Sequence, residues 1–323
     1  MPRFDLAPAE LREYRPQIAE PSDFDDFWQR TLAESRAAAQ EPTRAAVDSP
    51  LALVDVYDIE VSGFAGDRVR GWLVVPKDAT EPLPTVVEFN GYGGGRGLPH
   101  ERLAWAAAGY AWACMDTRGQ GSGWGAGGVT PDPHGSGPAT PGFMTRGIHD
   151  PDEYYYRRVY TDAALFVDAV RGFDEVDAAR VAVTGASQGG GIAIAASGLT
   201  EGLVAVMPDV PFLCHFERAV GLTDSDPYQE IVRYLSVHRD AAARTFATLS
   251  YFDGANFAAR ATAPALYSVA LMDPVCPPST VYAAANRHLC GAEVIEYAFN
   301  RHEGGQGVQW ERQAAWLAGQ LAR

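Results

Sequence analysis

The feature that most restricts the fold of this chain is the alternation of strand-like and helix-like segments from residue 85 onward. Strand-like runs lie at 53–62, 69–75, 85–89, 110–116, 181–184, 203–207, 265–270 and 293–299. Helix-like segments separate most of the later runs, at 99–108, 156–172, 188–198, 279–289 and 308–322. Crossovers between parallel strands normally carry helices. The pattern predicts an α/β fold with a mostly parallel, twisted sheet and helices on both faces.

Three segments depart from this alternation. Residues 1–46 have helical spacing of apolar residues and predict an N-terminal helical extension. Residues 117–153 are rich in glycine and proline, and a loop of that length is usually functional or an assembly segment. Residues 211–260 have helical periodicity and predict a lid insertion above the carboxyl ends of the strands. We interpret residues 1–323 as a single domain.

Charge and composition exclude several classes of protein. The net charge of -15 argues against nucleic acid and anionic membrane surfaces as partners, because such proteins normally carry a basic face. No apolar run is long enough to span a membrane, and the first residues lack the pattern of a signal peptide. The four cysteines have no disulfide or metal-binding spacing. We therefore expect a cytoplasmic protein with reduced thiols and without a metal or organic cofactor.

The stretch VAVTGASQGGGIAIAASG, residues 181–198, places a serine between a strand-like and a helix-like segment. Ser187 is flanked by Gly185 and Gly189, the small residues that a nucleophile elbow requires on either side of its strained turn. An ordinary glycine-rich turn has a similar pattern. The hypothesis of a nucleophilic Ser187 therefore depends on an acid and a histidine that follow it in the chain.

Both residues are present after later strand-like runs. Asp273 follows the run 265–270, and His302 follows the run 293–299, ahead of the last helix. In this order the histidine accepts the serine proton and the acid orients the imidazole. Asp209 is the alternative acid, but Asp273 follows the penultimate strand, which is the commoner position. The other histidines either precede the serine or lie in the lid insertion or a helix-like segment, at positions 100, 134, 149, 215, 238 and 288.

An oxyanion hole needs two fixed hydrogen-bond donors. The backbone N–H of Gln188, directly after the serine, is one candidate. The loop VVEFNGYGGGRG supplies the other, with Tyr92 as the predicted donor. A glycine-rich loop after a strand also resembles a dinucleotide site, but Arg96 stands where that motif requires glycine, and no P-loop signature is present.

These motifs resemble those of the acetyl xylan esterase and cephalosporin-C deacetylase family. The likeness runs from FDLAPAELREYRP to the last helix and includes GYGGGRG, DTRGQGSGW, PGFMTRGI, YYYRR, GASQGGGIA, DVPFLCHF, SYFDGANFAARA, CPPST and HEGG. It implies an α/β-hydrolase fold, a Ser187, Asp273 and His302 triad, and an oxyanion hole at Tyr92 and Gln188. It also marks four signature or structural residues: Arg118, Gly119, Gln120 and Glu303. Arg118 has two open roles, an ion pair that braces loops or a contact with substrate.

The resemblance implies a serine esterase that removes acetyl groups from short xylo-oligosaccharides and from small molecules such as cephalosporin C. It further implies a tight acyl pocket, for which Tyr92, Trp124 and Pro227 are the candidate substrate-binding residues, and a homohexamer. Three alternatives remain open: another short-chain esterase or thioesterase, a dienelactone-type hydrolase, and a non-catalytic binding protein with the same fold. An intact serine, acid and histidine in order argues against the last.

Overall fold

The computed structural model describes residues 3–135 and 137–322. Within them a single sheet contains nine strands: β1 (Thr43–Ala46), β2 (Val54–Ser62), β3 (Arg68–Pro76), β4 (Leu83–Phe89), β5 (Ala111–Met115), β6 (Val176–Ala186), β7 (Ala205–Asp209), β8 (Ala265–Ala270) and β9 (Ala292–Tyr297). The spatial order is β1-β2-β3-β5-β4-β6-β7-β8-β9. The six strands from β5 to β9 in that order are mutually parallel, whereas β1, β2 and β3 pair antiparallel. The predicted α/β fold with a mostly parallel sheet is confirmed.

The same residues form eleven α-helices: α1 (Pro8–Glu13), α2 (Phe24–Ala37), α3 (Ala104–Ala107), α4 (Tyr155–Val170), α5 (Gln188–Leu199), α6 (Phe216–Leu222), α7 (Tyr228–Val237), α8 (Ala242–Ser250), α9 (Gly254–Ala258), α10 (Pro278–Ala285) and α11 (Gln306–Leu321). No helix among these described residues is long and apolar enough to cross a membrane.

The sheet is covered on both faces because successive residues of its central strands point in opposite directions. In β4, Val87 belongs to the larger apolar cluster, which includes residues of α2, α4, α5 and α9. The preceding residue, Val86, belongs to the smaller cluster with Trp105 of α3 and Leu317 of α11. Both valines are fully buried, so both sets of helices are held by burial of apolar surface.

Two predicted boundaries need correction. The N-terminal extension 1–46 contains α1 and α2 but ends in β1, which pairs with β2. All four residues of β1 are exposed and none alternates with a buried neighbour, so the strand leaves no periodic signal in the sequence. In the predicted lid insertion 211–260, the last helix, α9, is buried and packs against α5. That end of the insertion therefore belongs to the core.

The carboxyl ends of β4, β6, β7, β8 and β9 meet at one edge of the sheet, as parallel strands require. The glycine-rich loop after β4, the serine after β6 and the loops after β8 and β9 all begin there. The segment 117–153 contributes turns and no helix or strand in its described residues. In an open parallel sheet this edge is where ligands bind.

Candidate active site

Ser187 lies in a sharp turn between β6 and α5. Its backbone has φ 55° and ψ -118°, a conformation that costs free energy for a residue with a side chain. A Cβ at Gly189 would lie 2.2 Å from the carbonyl oxygen of Phe89, and one at Gly185 would lie 2.5 Å from the carbonyl carbon of Gly189. Only glycine fits at these two positions without displacement of backbone. The two glycines therefore allow the close approach that exposes Ser187 at the end of the sheet.

Ser187, His302 and Asp273 form a continuous chain of hydrogen bonds. The Oγ of Ser187 lies 2.9 Å from Nε2 of His302, and Nδ1 of His302 lies 2.8 Å from Oδ2 of Asp273. A carboxylate only accepts hydrogen bonds, so Nδ1 carries the proton in this pair and Nε2 is free to accept from the serine. The structure thus brings together the three residues predicted as a triad.

Asp273 is fully buried and firmly oriented. Its Oδ1 accepts hydrogen bonds from the backbone N–H groups of Val275 and Cys276, at 2.8 and 3.0 Å. This leaves Oδ2 directed at the imidazole. The two backbone donors thus fix the orientation of the carboxyl group that contacts His302.

Asp209, the alternative acid, contributes to the site in a different way. Its backbone carbonyl accepts the N–H of Ser187 at 2.9 Å, whereas its side chain accepts from Gln313 at 3.0 Å. Its Oδ1 is buried and has no partner among the described residues. Burial raises the pKa of Asp209 to about 7. The carboxyl makes no hydrogen bond to His302, so it does not orient the imidazole.

The predicted oxyanion donors lie on either side of Ser187. Gln188 begins α5, so its N–H belongs to the first turn, where helix N–H groups have no partner within the helix. Within the described residues, neither this N–H nor that of Tyr92 has an acceptor. Both are therefore available to a substrate oxygen.

Gln120 links the elbow to the glycine-rich loop. Its Oε1 accepts from the N–H of Gly93 at 2.8 Å, and its Nε2 donates to Oε1 of Gln188 at 2.9 Å. The amide of Gln188 in turn donates to the carbonyl of Asn90 at 3.1 Å. The signature glutamine thus positions both sides of the predicted oxyanion hole and leaves no polar atom of its own for substrate.

Tyr92 is also held by its side chain, through a contact that the sequence did not predict. Its hydroxyl donates to Oε1 of Glu230 at 2.6 Å and accepts from the N–H of Phe143 at 2.6 Å. The other carboxylate oxygen of Glu230 accepts from the N–H of Met144 at 3.0 Å. Glu230 is buried, which raises its pKa. The carboxylate of Glu230 therefore joins α7 to the loop after β4 and to the segment 117–153.

A cavity of about 590 Å³ opens onto the serine, and it is called the active-site cleft below. Ser187 and His302 line it, together with the three predicted substrate-binding residues, Tyr92, Trp124 and Pro227. The indole of Trp124 donates to the carbonyl of Tyr92 at 2.7 Å and is half exposed. Three bulky side chains thus line the same cleft as the nucleophile.

Arg118 is fully buried and makes paired hydrogen bonds to Asp162, at 2.6 and 2.7 Å. Its remaining nitrogen donates to Asp67 at 2.8 Å. No part of the guanidinium is accessible to a substrate, which favours the ion-pair role. Gly119 follows with φ +69°, in the region that favours glycine.

Glu303, next to His302, is held within its own loop. Its carboxylate accepts hydrogen bonds from Asn300 and from the N–H of Arg301, both at 3.1 Å, and backbone hydrogen bonds lower its pKa. Glu303 therefore fixes the loop that carries His302.

Within the described ranges, one group of side chains comes close enough to hold a metal ion, formed by Asp273, Cys276 and His302. Their ligand atoms lie within 4.8 Å of one another, and burial raises the pKa of the Cys276 thiol. A thiol kept protonated is a poor ligand. Asp273 and His302 are already hydrogen-bonded to each other, so we assign no metal to the group.

The chain is similar in sequence and in structure to known acetyl esterases. Residues 1–320 match the sequence profile of the acetyl xylan esterase (AXE1) family. An acetyl xylan esterase from Paenibacillus sp. R4 has 39% identity and a TM-score of 0.92, with 97% of this chain and 99% of that chain covered. Acetyl xylan esterase 1 from Thermoanaerobacterium sp. JW/SL YS485 has 32% identity and a TM-score of 0.90, with 98% and 99% covered.

The acetyl esterase Axe7A of Xylanibacter ruminicola is 26% identical over an alignment of 316 positions that covers 89% of this chain. The match spans 65% of the length of that relative. The family profile covers residues 1–320, and each of the two structural matches covers nearly all of both chains. The chain therefore belongs to the acetyl xylan esterase family and has its α/β-hydrolase fold.

Proposed function

We propose that this protein is a serine esterase that removes acetyl groups from hydroxyl oxygens of short xylo-oligosaccharides and of small acetylated molecules, cephalosporin C included. The observation that carries the proposal is the hydrogen-bonded chain from Ser187 through His302 to Asp273. A binding protein has no need of a nucleophile, a base and an acid in this alignment. The proposed reaction needs no metal and no organic cofactor.

The reaction proceeds in two steps. The Oγ of Ser187 attacks the acetyl carbonyl carbon while Nε2 of His302 takes its proton, and the N–H groups of Tyr92 and Gln188 stabilise the oxyanion. The carbon–oxygen bond to the alcohol breaks, and His302 returns the proton to the leaving oxygen. Water then attacks the acetyl ester on Ser187 by the same route and releases acetate.

The acyl group is expected to be small. Tyr92, Trp124 and Pro227 border the cleft beside the serine, and each added methylene in a tight pocket changes binding by about 1 to 3 kcal/mol. Activity on p-nitrophenyl esters should therefore fall steeply from acetate to butyrate. Equal rates on acetate and octanoate would refute a closed acyl pocket.

The test of the proposed function is a comparison of the wild type with Ser187→Ala. The variant should lose nearly all release of acetate from p-nitrophenyl acetate and from acetylated xylo-oligosaccharides. It should keep the circular dichroism spectrum of the wild type, because the glycines define the turn. Release at the wild-type rate would contradict the proposal, and no release by the wild type would favour a non-catalytic protein.

Three further expectations accompany this function. We propose that residues 1–323 form one domain, that the protein assembles as a homohexamer, and that it acts in the cytoplasm on small substrates. Limited proteolysis, light scattering and cell fractionation test these three points separately from the chemistry.

A further inference from the structure

A second cavity, of about 370 Å³, lies beside the active-site cleft on the face of the sheet that α3 and α11 cover. We call it the α3/α11 cavity. It shares three lining residues with the cleft, namely Glu88, Arg102 and Ala186. Ala186 directly precedes the proposed nucleophile. A ligand that occupies both cavities therefore has to pass this shared wall next to Ser187.

The shared wall has a fixed pair of opposite charges with spare hydrogen-bonding capacity. Nη1 of Arg102 donates to Oε1 of Glu88 at 3.1 Å, and the indole of Trp112 donates to the other carboxylate oxygen at 2.7 Å. Both charged side chains keep about a quarter of their surface exposed. In the described part of the chain, Nε and Nη2 of Arg102 have no acceptor. The wall thus offers free donors and a carboxylate that still has lone pairs.

The chemistry of the cavity favours a neutral ligand rich in hydroxyl groups. Glu88 and Glu101 line it against a single guanidinium, that of Arg102, so an anion is disfavoured. Trp105 and Trp310 supply apolar surface, with their rings 5.5 Å apart. Hydroxyls can bond to the charged pair while the carbon face of a sugar ring packs on apolar surface.

We propose that the α3/α11 cavity is a subsite for a second sugar unit, in the alcohol portion of the acetylated substrate. The inference rests on the proposed esterase function. The bulky residues Tyr92, Trp124 and Pro227 border the cleft but not the second cavity. The acetyl group lies on that bulky side, and the leaving alcohol lies toward Arg102. The volume of the α3/α11 cavity lies in the range of about 300 to 1,000 Å³ that is usual for small-molecule sites.

Gly307 offers a way to fill the cavity. It lies at the start of α11 and lines the cavity, and a Cβ there meets no other atom within 4 Å. Gly307→Leu therefore adds a side chain at the cavity wall, at a position that has room for its Cβ. Gly319 is the matched control, because it lies on the same helix, is equally open and does not line the cavity.

The experiment compares kcat/KM for mono-acetylated xylobiose and for mono-acetylated methyl xyloside. The wild type and Gly319→Leu should prefer the disaccharide by about tenfold, equivalent to about 1.4 kcal/mol of binding. Gly307→Leu should lose that preference and retain hydrolysis of p-nitrophenyl acetate. An equal preference in the two glycine variants would overturn the subsite.

A second measurement uses only the wild type and does not depend on the folding of a variant. Xylobiose should inhibit hydrolysis of p-nitrophenyl acetate more strongly than xylose, because only the disaccharide reaches both cavities. Equal inhibition by the two sugars would overturn the subsite and leave the esterase function intact. If the wild type does not hydrolyse p-nitrophenyl acetate at all, the proposed function itself is wrong.

Discussion

Asp209 and Asp273 both follow parallel strands, yet only one of them faces the imidazole. Asp273 accepts two backbone N–H groups and contacts Nδ1 of His302. Asp209 instead contacts Gln313 of α11. The position of Asp273 after the penultimate strand was enough to favour it from sequence. The sequence did not indicate that Asp209 would be a buried carboxyl, because that depends on which residues of the distant α11 cover it.

Replacement of the two acids should separate their roles. Asp273→Asn should lower kcat on p-nitrophenyl acetate by about 10⁴-fold, because the imidazole loses the carboxylate that fixes its tautomer. Asp209→Asn should retain most activity, since the bond to Ser187 comes from its backbone carbonyl. The reverse pattern would make Asp209 the acid.

Asp209 should also make stability depend on pH. Its pKa is raised from 3.8 to about 7, so the folded state keeps a proton that the unfolded chain releases above about pH 4. The stability that Asp209 contributes is therefore complete below about pH 4 and is lost by about pH 7. Relative to Asp209→Asn, the wild type should lose about 2 to 4 kcal/mol across this range. Urea unfolding at several pH values measures the difference, and parallel curves would contradict the assignment.

Among the contacts between secondary-structure elements, those of Glu230 connect α7 to two loops of the active site. Glu230 joins α7 to the loop after β4, through Tyr92, and to the segment 117–153, through the N–H of Met144. The helical periodicity of the lid insertion predicted α7, but local periodicity cannot show which distant loop a helix contacts. The sequence therefore indicated Tyr92 as an oxyanion donor and gave no sign of the carboxylate that holds its ring.

Glu230→Ala should lower kcat on p-nitrophenyl acetate by about tenfold and change KM little, because a displaced Tyr92 weakens an interaction made mainly in the transition state. Tyr92→Phe should give a smaller effect in the same direction, since it keeps the backbone N–H. Ser236→Ala, an exposed position on the same helix, is the control. An unchanged kcat in Glu230→Ala would show that α7 does not position the oxyanion hole.

For the molecule as a whole, the alternation of strands and helices predicted the parallel sheet correctly. It did not predict the features that depend on which residues are exposed to solvent. Strand β1 has no buried residue, and the burial of α9 depends on its contact with α5. The exposed apolar side chains were also unforeseen. Phe299 and Trp124 are 84% and 51% exposed, in segments next to the active-site cleft. Exposed apolar surface of this kind often marks a contact between proteins.

Assembly should restrict which substrates reach the active site. If the protein forms the proposed homohexamer, with the segment 117–153 at subunit contacts, a substrate must pass an entrance before it meets Ser187. Acetate release should then be much faster from short xylo-oligosaccharides than from intact acetylated xylan. Light scattering that gives a monomer at the assay concentration, with equal release from polymer and oligomer, would contradict this restriction.

In the proposed reaction, Ser187 carries the acetyl group between the two steps. Rapid acid quenching during turnover of p-nitrophenyl acetate, followed by peptide mass spectrometry, tests it directly. We expect an acetyl group, at most one per chain, on the peptide that contains Ser187, and none on that peptide in Ser187→Ala. An acetyl group that forms and decays at the rate of turnover on another residue would contradict it.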